Sequence, residues 1–218
     1  MDIASLLDEL PAERRLALAY APTAFRANNL VVILLDLRLS RLVAQRREPL
    51  LMQMRLAWWR DRLNEEPTGF HHDEPLLDML KGWGPTRARL TALVDGWEAL
   101  LVDPPITDGA IDLFAKGRGQ AFAALAERCG VQGFADEARR AASNWALADL
   151  AARSADPTEA AQVQRTAAAA DWKTPKLPRA LRPLAVLHGL AARKQGKGPL
   201  VANISDGFAA MRLGILGR

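Results

Sequence analysis

Met54-Arg55-Leu56-Ala57-Trp58-Trp59-Arg60-Asp61-Arg62-Leu63 is the most distinctive string in the chain. Neighbouring tryptophans on a helix point about 100° apart and cannot share a face. Trp59 falls on one stripe with Leu56 and Leu63, and Met52 extends that stripe upstream. Trp58 falls with Met54, Arg55 and Arg62. The residue types describe an aromatic helix with one face in a core and Arg60 and Asp61 beside it. Glu48-Pro49 opens this helix, and a polar loop over 65–73 follows it.

Outward from this string, Pro, Gly and capping residues cut the chain into about ten helical pieces. Pro11 opens a short helix to Tyr20. Pro22 interrupts it, and Thr23 caps a long helix to about Gln45. A short helix follows over 75–80. Gly84-Pro85-Thr86 breaks the chain before a helix through Leu90, Leu93, Trp97 and Leu101. Thr107 caps another to about Cys129, and Gly130 and Gly133 separate it from a helix ending near Arg153. Pro157 begins an alanine-rich piece, and further helices are expected over 179–193 and 206–216. The 40 alanines, many Leu and Arg, and few β-branched residues favour helix over strand. No segment alternates with period two. One all-α domain over residues 1–218 is the economical reading.

Composition limits the function classes. Half of the 218 residues are hydrophobic and a quarter charged, as in an ordinary globular protein. The net charge of +4 supports a mild attraction to phosphate or anionic lipid and gives no reason to expect nucleic acid as a partner. Cys129 is the single cysteine, which excludes an intrachain disulfide and any multi-cysteine metal site, and it reads as a small core hydrophobe. Residues 1–11 are acidic and lack the features of a signal peptide. The longest apolar run, residues 30–35, is far too short to cross a bilayer. A cytoplasmic protein, with peripheral membrane contact as an option, is expected.

The tryptophan string resembles the corresponding helix of the squalene/phytoene synthase family, the head-to-head prenyl-diphosphate synthases and their relatives. Ala12-Glu13-Arg14-Arg15-Leu16-Ala17-Leu18-Ala19-Tyr20-Ala21-Pro22 is similar to the segment that opens these proteins, and Glu48-Pro49-Leu50 stands at the family's spacing before the tryptophan helix. Leu93-Val94-Asp95-Gly96-Trp97-Glu98-Ala99-Leu100 looks like the helix that follows. Phe114-Ala115-Lys116-Gly117-Arg118-Gly119-Gln120-Ala121 resembles the small-residue helix whose close packing leaves room for a prenyl chain. Leu177-Pro178-Arg179-Ala180-Leu181-Arg182-Pro183-Leu184-Ala185 resembles a late helix. The resemblance implies a helical bundle of the isoprenoid (terpenoid) synthase type. It makes Arg38, Arg41, Arg55, Trp58, Trp59, Gly117 and Gln120 the candidate substrate-binding residues.

Active members of the family resemble one another in two aspartate-rich helical motifs that hold Mg²⁺, which neutralises the departing diphosphate. In this chain the first motif should lie on the helix that Thr23 opens, with carboxylates near Ser40, Arg41 and Ala44, yet the only acid there is Asp36. Where the second should end, Asp149 and Asp156 stand seven apart among alanines. The implied function is a pseudoenzyme that keeps the prenyl synthase fold, has no metal site or cofactor, and binds an isoprenoid or other lipid, or a protein partner. The degenerate branch it resembles includes a mitochondrial complex I assembly factor, which implies assembly work. The alternative is an active transferase condensing two prenyl diphosphates, with Asp36, Asp61, Asp149 and Asp156 as catalytic, Mg²⁺-holding candidates and Arg38, Arg41 and Arg55 on diphosphate. A third reading is a plain helical scaffold whose cavity is filled. An open cavity between the helices favours a ligand, and close packing favours the scaffold.

Other motifs carry less. Asp61 and Glu65, Glu74 and Asp78, and Asp108 and Asp112 have a spacing common on solvated helix faces; Asp61, in the tryptophan helix, can hold a metal or equally pair with Arg38, Arg41 or a neighbouring arginine. His71-His72-Asp73-Glu74 reads as a solvated loop, and His188 as a hydrogen-bonded core residue. Gly117-Arg118-Gly119 lacks the preceding strand of a dinucleotide site, and no serine sits in a nucleophile elbow. The basic loop over 193–198 is a solvated connection that can also meet anionic head groups.

Overall fold

The computed structural model describes residues 3–44, 49–65 and 74–217. Among them the chain forms eleven α-helices, four 3-10 turns and no strand. In order these are α1 (Ile3–Asp8), α2 (Ala12–Ala19), α3 (Thr23–Ala44), α4 (Pro49–Asn64), α5 (Pro75–Met79), α6 (Thr91–Glu98), α7 (Asp108–Arg128), α8 (Ala135–Arg153), α9 (Pro157–Ala168), α10 (Arg182–Lys194) and α11 (Ile204–Leu216).

The helix starts follow local chemistry. Thr107 accepts a hydrogen bond from the Ala110 N–H at 3.1 Å and opens α7. Asp156 accepts from Thr158 and Glu159 at 2.7 and 3.1 Å, with Pro157 in the first turn of α9. Asn203 caps α11 through the Asp206 N–H at 3.1 Å. Two expectations are corrected. The helix expected directly after Gly84-Pro85-Thr86 is preceded by two 3-10 turns, Gly84–Thr86 and Ala88–Leu90, and Gly84 turns the chain there with a positive φ of 54°. The stretch over 179–181 is also 3-10; α10 starts at Arg182, with Pro183 in its first turn, where the missing N–H costs nothing.

The apolar run of α3 lies at the centre of the molecule. Leu30, Val31, Val32, Ile33, Leu34 and Leu35 are all buried, because neighbours pack on every side of the helix. One contiguous core cluster draws residues from Leu6 to Leu213. Helix α8 folds back on α7, and α6 lies on the other flank of α7. Two glycines make this sandwich tight. A Cβ on Gly117 would overlap the Ala92 carbonyl of α6, and one on Gly119 would come within 2.9 Å of the Arg139 carbonyl of α8. Among the described residues no helix is long and apolar enough to cross a membrane.

Candidate functional site

Four charges sit in the middle of apolar helix stripes. They are Arg14 on α2, Asp36 on α3, Arg118 on α7 and Asp149 on α8, and all four are buried. A charge in such a place must meet its opposite, and these do. Arg118 grips Asp36 with two parallel hydrogen bonds of 3.0 Å, Nε to Oδ1 and Nη2 to Oδ2. The same Nη2 reaches Asp149 Oδ2 at 3.1 Å. Arg14 joins both acids from the other side, at 2.8 Å to Asp36 and 3.4 Å to Asp149. The Trp97 indole of α6 donates to Asp36 Oδ1 at 2.9 Å, so that carboxylate accepts three hydrogen bonds beside its ion pair with Arg14. Arg153 donates to Asp149 Oδ1 at 2.8 Å, one turn along α8.

Aromatic rings line this network. The Arg118 guanidinium lies 4.3 Å from the Trp145 ring centroid and 4.8 Å from that of Phe114, and Arg14 lies 5.3 Å from Trp145. Burial alone would push the Asp149 carboxyl up, but Arg118, Arg153 and Arg14 outweigh it and hold it down at about 2. Burial lowers the Arg14 guanidinium, and Asp36 and Asp149 offset part of that effect.

Beside the network opens a cavity of about 540 Å³. Helix α3 lines it with Ser40, Val43 and Ala44; Trp97, Ile106 and Phe114 add apolar wall; α8 contributes Asp149, Leu150 and Arg153. Ser40 and Ala44, two of the positions where the resemblance places carboxylates, thus share one cavity with Asp149. The Ser40 hydroxyl is spent on the Leu37 carbonyl at 2.8 Å. Asp156 and Glu159 stand at the rim. Asp156 is engaged as the cap of α9, and its two backbone N–H partners hold its carboxyl below the usual range.

The other candidates gather elsewhere. Arg38, Arg41, Arg55, Trp58 and Trp59 come together with Leu42 and Glu74 around an outer notch of about 350 Å³. Trp59 is 4% exposed and Trp58 41%, which follows from the two stripes of α4; their rings meet edge to face at 5.1 Å. Glu9 takes both α3 arginines, Arg38 at 2.7 Å and Arg41 at 2.8 Å, and Glu74 stands 3.7 Å from Arg38. Asp61 therefore does not meet Arg38 or Arg41; it is exposed on α4, outside the notch. Gly117 faces α6, and half-buried Gln120 lines neither cavity.

The acid pairs at helical spacing enter surface contacts: Asp112 with Lys116 at 2.5 Å, Asp78 with Lys81 at 2.7 Å, and Asp108 with Gln162 at 2.8 Å. Of His71-His72-Asp73-Glu74 only Glu74 lies within the described residues. His188 is buried, as expected, but among the described residues its Nε2 has no hydrogen-bond partner. Burial, with Arg140 nearby, pushes it down to about 4. Cys129 is buried, and burial pushes its thiol up.

Arg14 and Arg118 are the residues that motif reasoning did not assign. Their signal is in the sequence: Arg118 has Phe114, Ala115, Ala121 and Phe122 at −4, −3, +3 and +4, and Arg14 has Leu10, Ala17 and Leu18 at −4, +3 and +4. The residues present do not fit Mg²⁺. Asp36 already accepts three hydrogen bonds and pairs with Arg14, and Arg118 Nη2 bridges Asp36 and Asp149 where a shared cation would have to stand. Among the described residues no three His, Cys, Asp or Glu side chains converge as a metal site. No protein-family model, no curated protein and no solved structure matches the chain.

Proposed function

We propose that the chain is a squalene/phytoene synthase-like protein of the isoprenoid synthase type that binds an isoprenoid or another lipid chain without Mg²⁺-dependent chemistry. The observation that carries this reading is Arg118, set between Asp36 and Asp149 beside an open, largely apolar cavity. Two carboxylates neutralised by guanidiniums can no longer recruit a divalent ion, while the cavity falls within the roughly 300–1,000 Å³ of small-molecule sites. A hydroxyl or other polar end group on the ligand can hydrogen-bond Asp149 or Arg153, and the chain can lie along Val43, Ile106 and Phe114. A diphosphate fits poorly. Among the described residues Arg153 is the one cation lining the cavity, and Asp149, Asp156 and Glu159 line it too. That arrangement weighs against the active transferase.

Thermal melting tests the reading, because a ligand that binds only the folded state raises the midpoint. Farnesol and geranylgeraniol should raise it with or without Mg²⁺, and Val43→Phe, which fills the cavity, should abolish the shift. A shift seen only with farnesyl diphosphate plus Mg²⁺, followed by squalene or phytoene on product analysis, would establish the transferase instead. No shift with any of these compounds would favour a protein partner.

A further inference from the structure

Helix α11 is apolar on two opposite sides. Its inner side, with Ala209, Ala210, Leu213 and Gly214, is buried; Leu213 lies against Gly189 of α10, and Gly214 against Tyr20. Its outer side carries Ile204, Phe208, Met211 and Ile215 at i, i+4, i+7 and i+11, with Leu216 beside them. These are 80, 63, 44, 64 and 62% exposed. An apolar stretch of helix is normally covered, as the 30–35 run of α3 is. Here the described residues leave one side uncovered.

The charge around this helix is one-sided. Residues 172–218 hold nine Lys and Arg and a single acid, Asp206, although the whole chain is only +4. The 171 residues before them are therefore net acidic. Asp206 faces inward and is taken up by Lys194 at 3.0 Å and Arg193 at 3.9 Å, both in the last turn of α10. Arg212 lies on the exposed arc of α11, and Lys197 is exposed in the connection leading to it.

We propose that the outer face of α11 docks on an anionic lipid bilayer, its apolar row entering the boundary between head groups and acyl chains while Arg212 and Lys197 meet lipid phosphates. Apolar side chains rimmed by cations are what an interfacial helix requires. A second copy of the chain matches the surface less well. At these exposures the five residues offer roughly 600 Å², still below the about 800 Å² per partner of a standard interface. A bilayer sets no such minimum area. This surface lies outside the cavity lining, so it does not depend on the ligand-binding reading.

Vesicle co-sedimentation tests it. The full chain should pellet with vesicles of equal parts phosphatidylcholine and phosphatidylglycerol, and stay in solution with phosphatidylcholine alone. The double variant Phe208→Glu/Ile215→Glu should lose at least about tenfold in bound fraction, while its melting midpoint stays within a few degrees of the parent, since both side chains are exposed. Arg212→Glu should lose less and flatten the dependence on lipid charge. A parent chain that ignores anionic vesicles overturns the proposal, as does a double variant that binds as well as the parent. A parent that is dimeric in sedimentation equilibrium, with a monomeric double variant and no vesicle binding, would assign the face to a second copy and overturn it too.

Discussion

Helix α3 carries two clusters of arginine and carboxylate within two turns of each other. On its inner side Asp36 meets Arg14 and Arg118, and Asp149 completes the group; on its outer side Arg38 and Arg41 meet Glu9. Distances are alike, at 2.8–3.1 Å inside, with one longer contact of 3.4 Å, and 2.7–2.8 Å outside. Exposure is not. The inner side chains are at most 6% exposed, whereas Arg41 is 48% exposed. Where water can replace a lost partner, an ion pair matters little. Where it cannot, the partner left behind is an uncompensated buried charge. Identical chemistry thus has different weight on the two faces of one helix. The inner cluster also ties α2, α3, α7 and α8 to one point, with α6 joined through Trp97.

Removing the shared arginine is the strongest way to break this contrast. Arg118→Met leaves Asp36 and Asp149 facing each other in the core, and urea denaturation should report a loss of about 3–5 kcal/mol. A loss below about 1 kcal/mol would put the inner cluster in the same class as the outer one.

Acid titration is the next most sensitive probe. The folded Asp149 carboxyl, at about 2, lies below its ordinary 3.8. The unfolded chain therefore takes up this proton first as the pH falls. Stability from this group is complete above about pH 4 and is lost between there and about pH 2, by about 2–3 kcal/mol. Asp149→Asn should flatten that limb of the stability curve, measured by denaturant melts at stepped pH.

Gly117 sharpens the comparison, since it lets α6 and α7 approach closely enough for Trp97 and Arg118 to reach the same carboxylate. Gly117→Ala forces these helices apart at a cost of about 1–3 kcal/mol, with a change in tryptophan fluorescence that a purely local defect would not produce. The smallest effect belongs to the outer cluster. Arg41→Ala should cost less than about 1 kcal/mol, and the cost should shrink further in salt.

Much of this architecture was legible before any coordinates. The stripe through Met52, Leu56, Trp59 and Leu63 is buried and Met54 and Trp58 are exposed, as helical spacing requires. Helices α7, α8 and α9 begin or end within a few residues of their expected bounds, because caps, prolines and glycines act locally. Helix α1 has too little pattern in its six residues to be read from the sequence. Among the site residues, motif spacing points to Asp36 and Asp149 as metal candidates and gives no pairing for their arginine partners. Motif reasoning looks for ligands of one kind, and a neutralising partner 82 residues away in the chain leaves no spacing signal.

From the amino-acid sequence alone one can read the helical class, the buried face of each long helix and the presence of charges inside apolar stripes. All three follow from periodicity and local backbone chemistry. Only the tertiary structure decides which charge meets which, that Ser40 and Ala44 share a cavity with Asp149, and that the outer row of α11 stays uncovered. Pairing between stripes depends on how helices distant in sequence pack in depth and rotation. Here glycine contacts such as Gly117 against Ala92, together with bulky rings such as Trp145, set that packing.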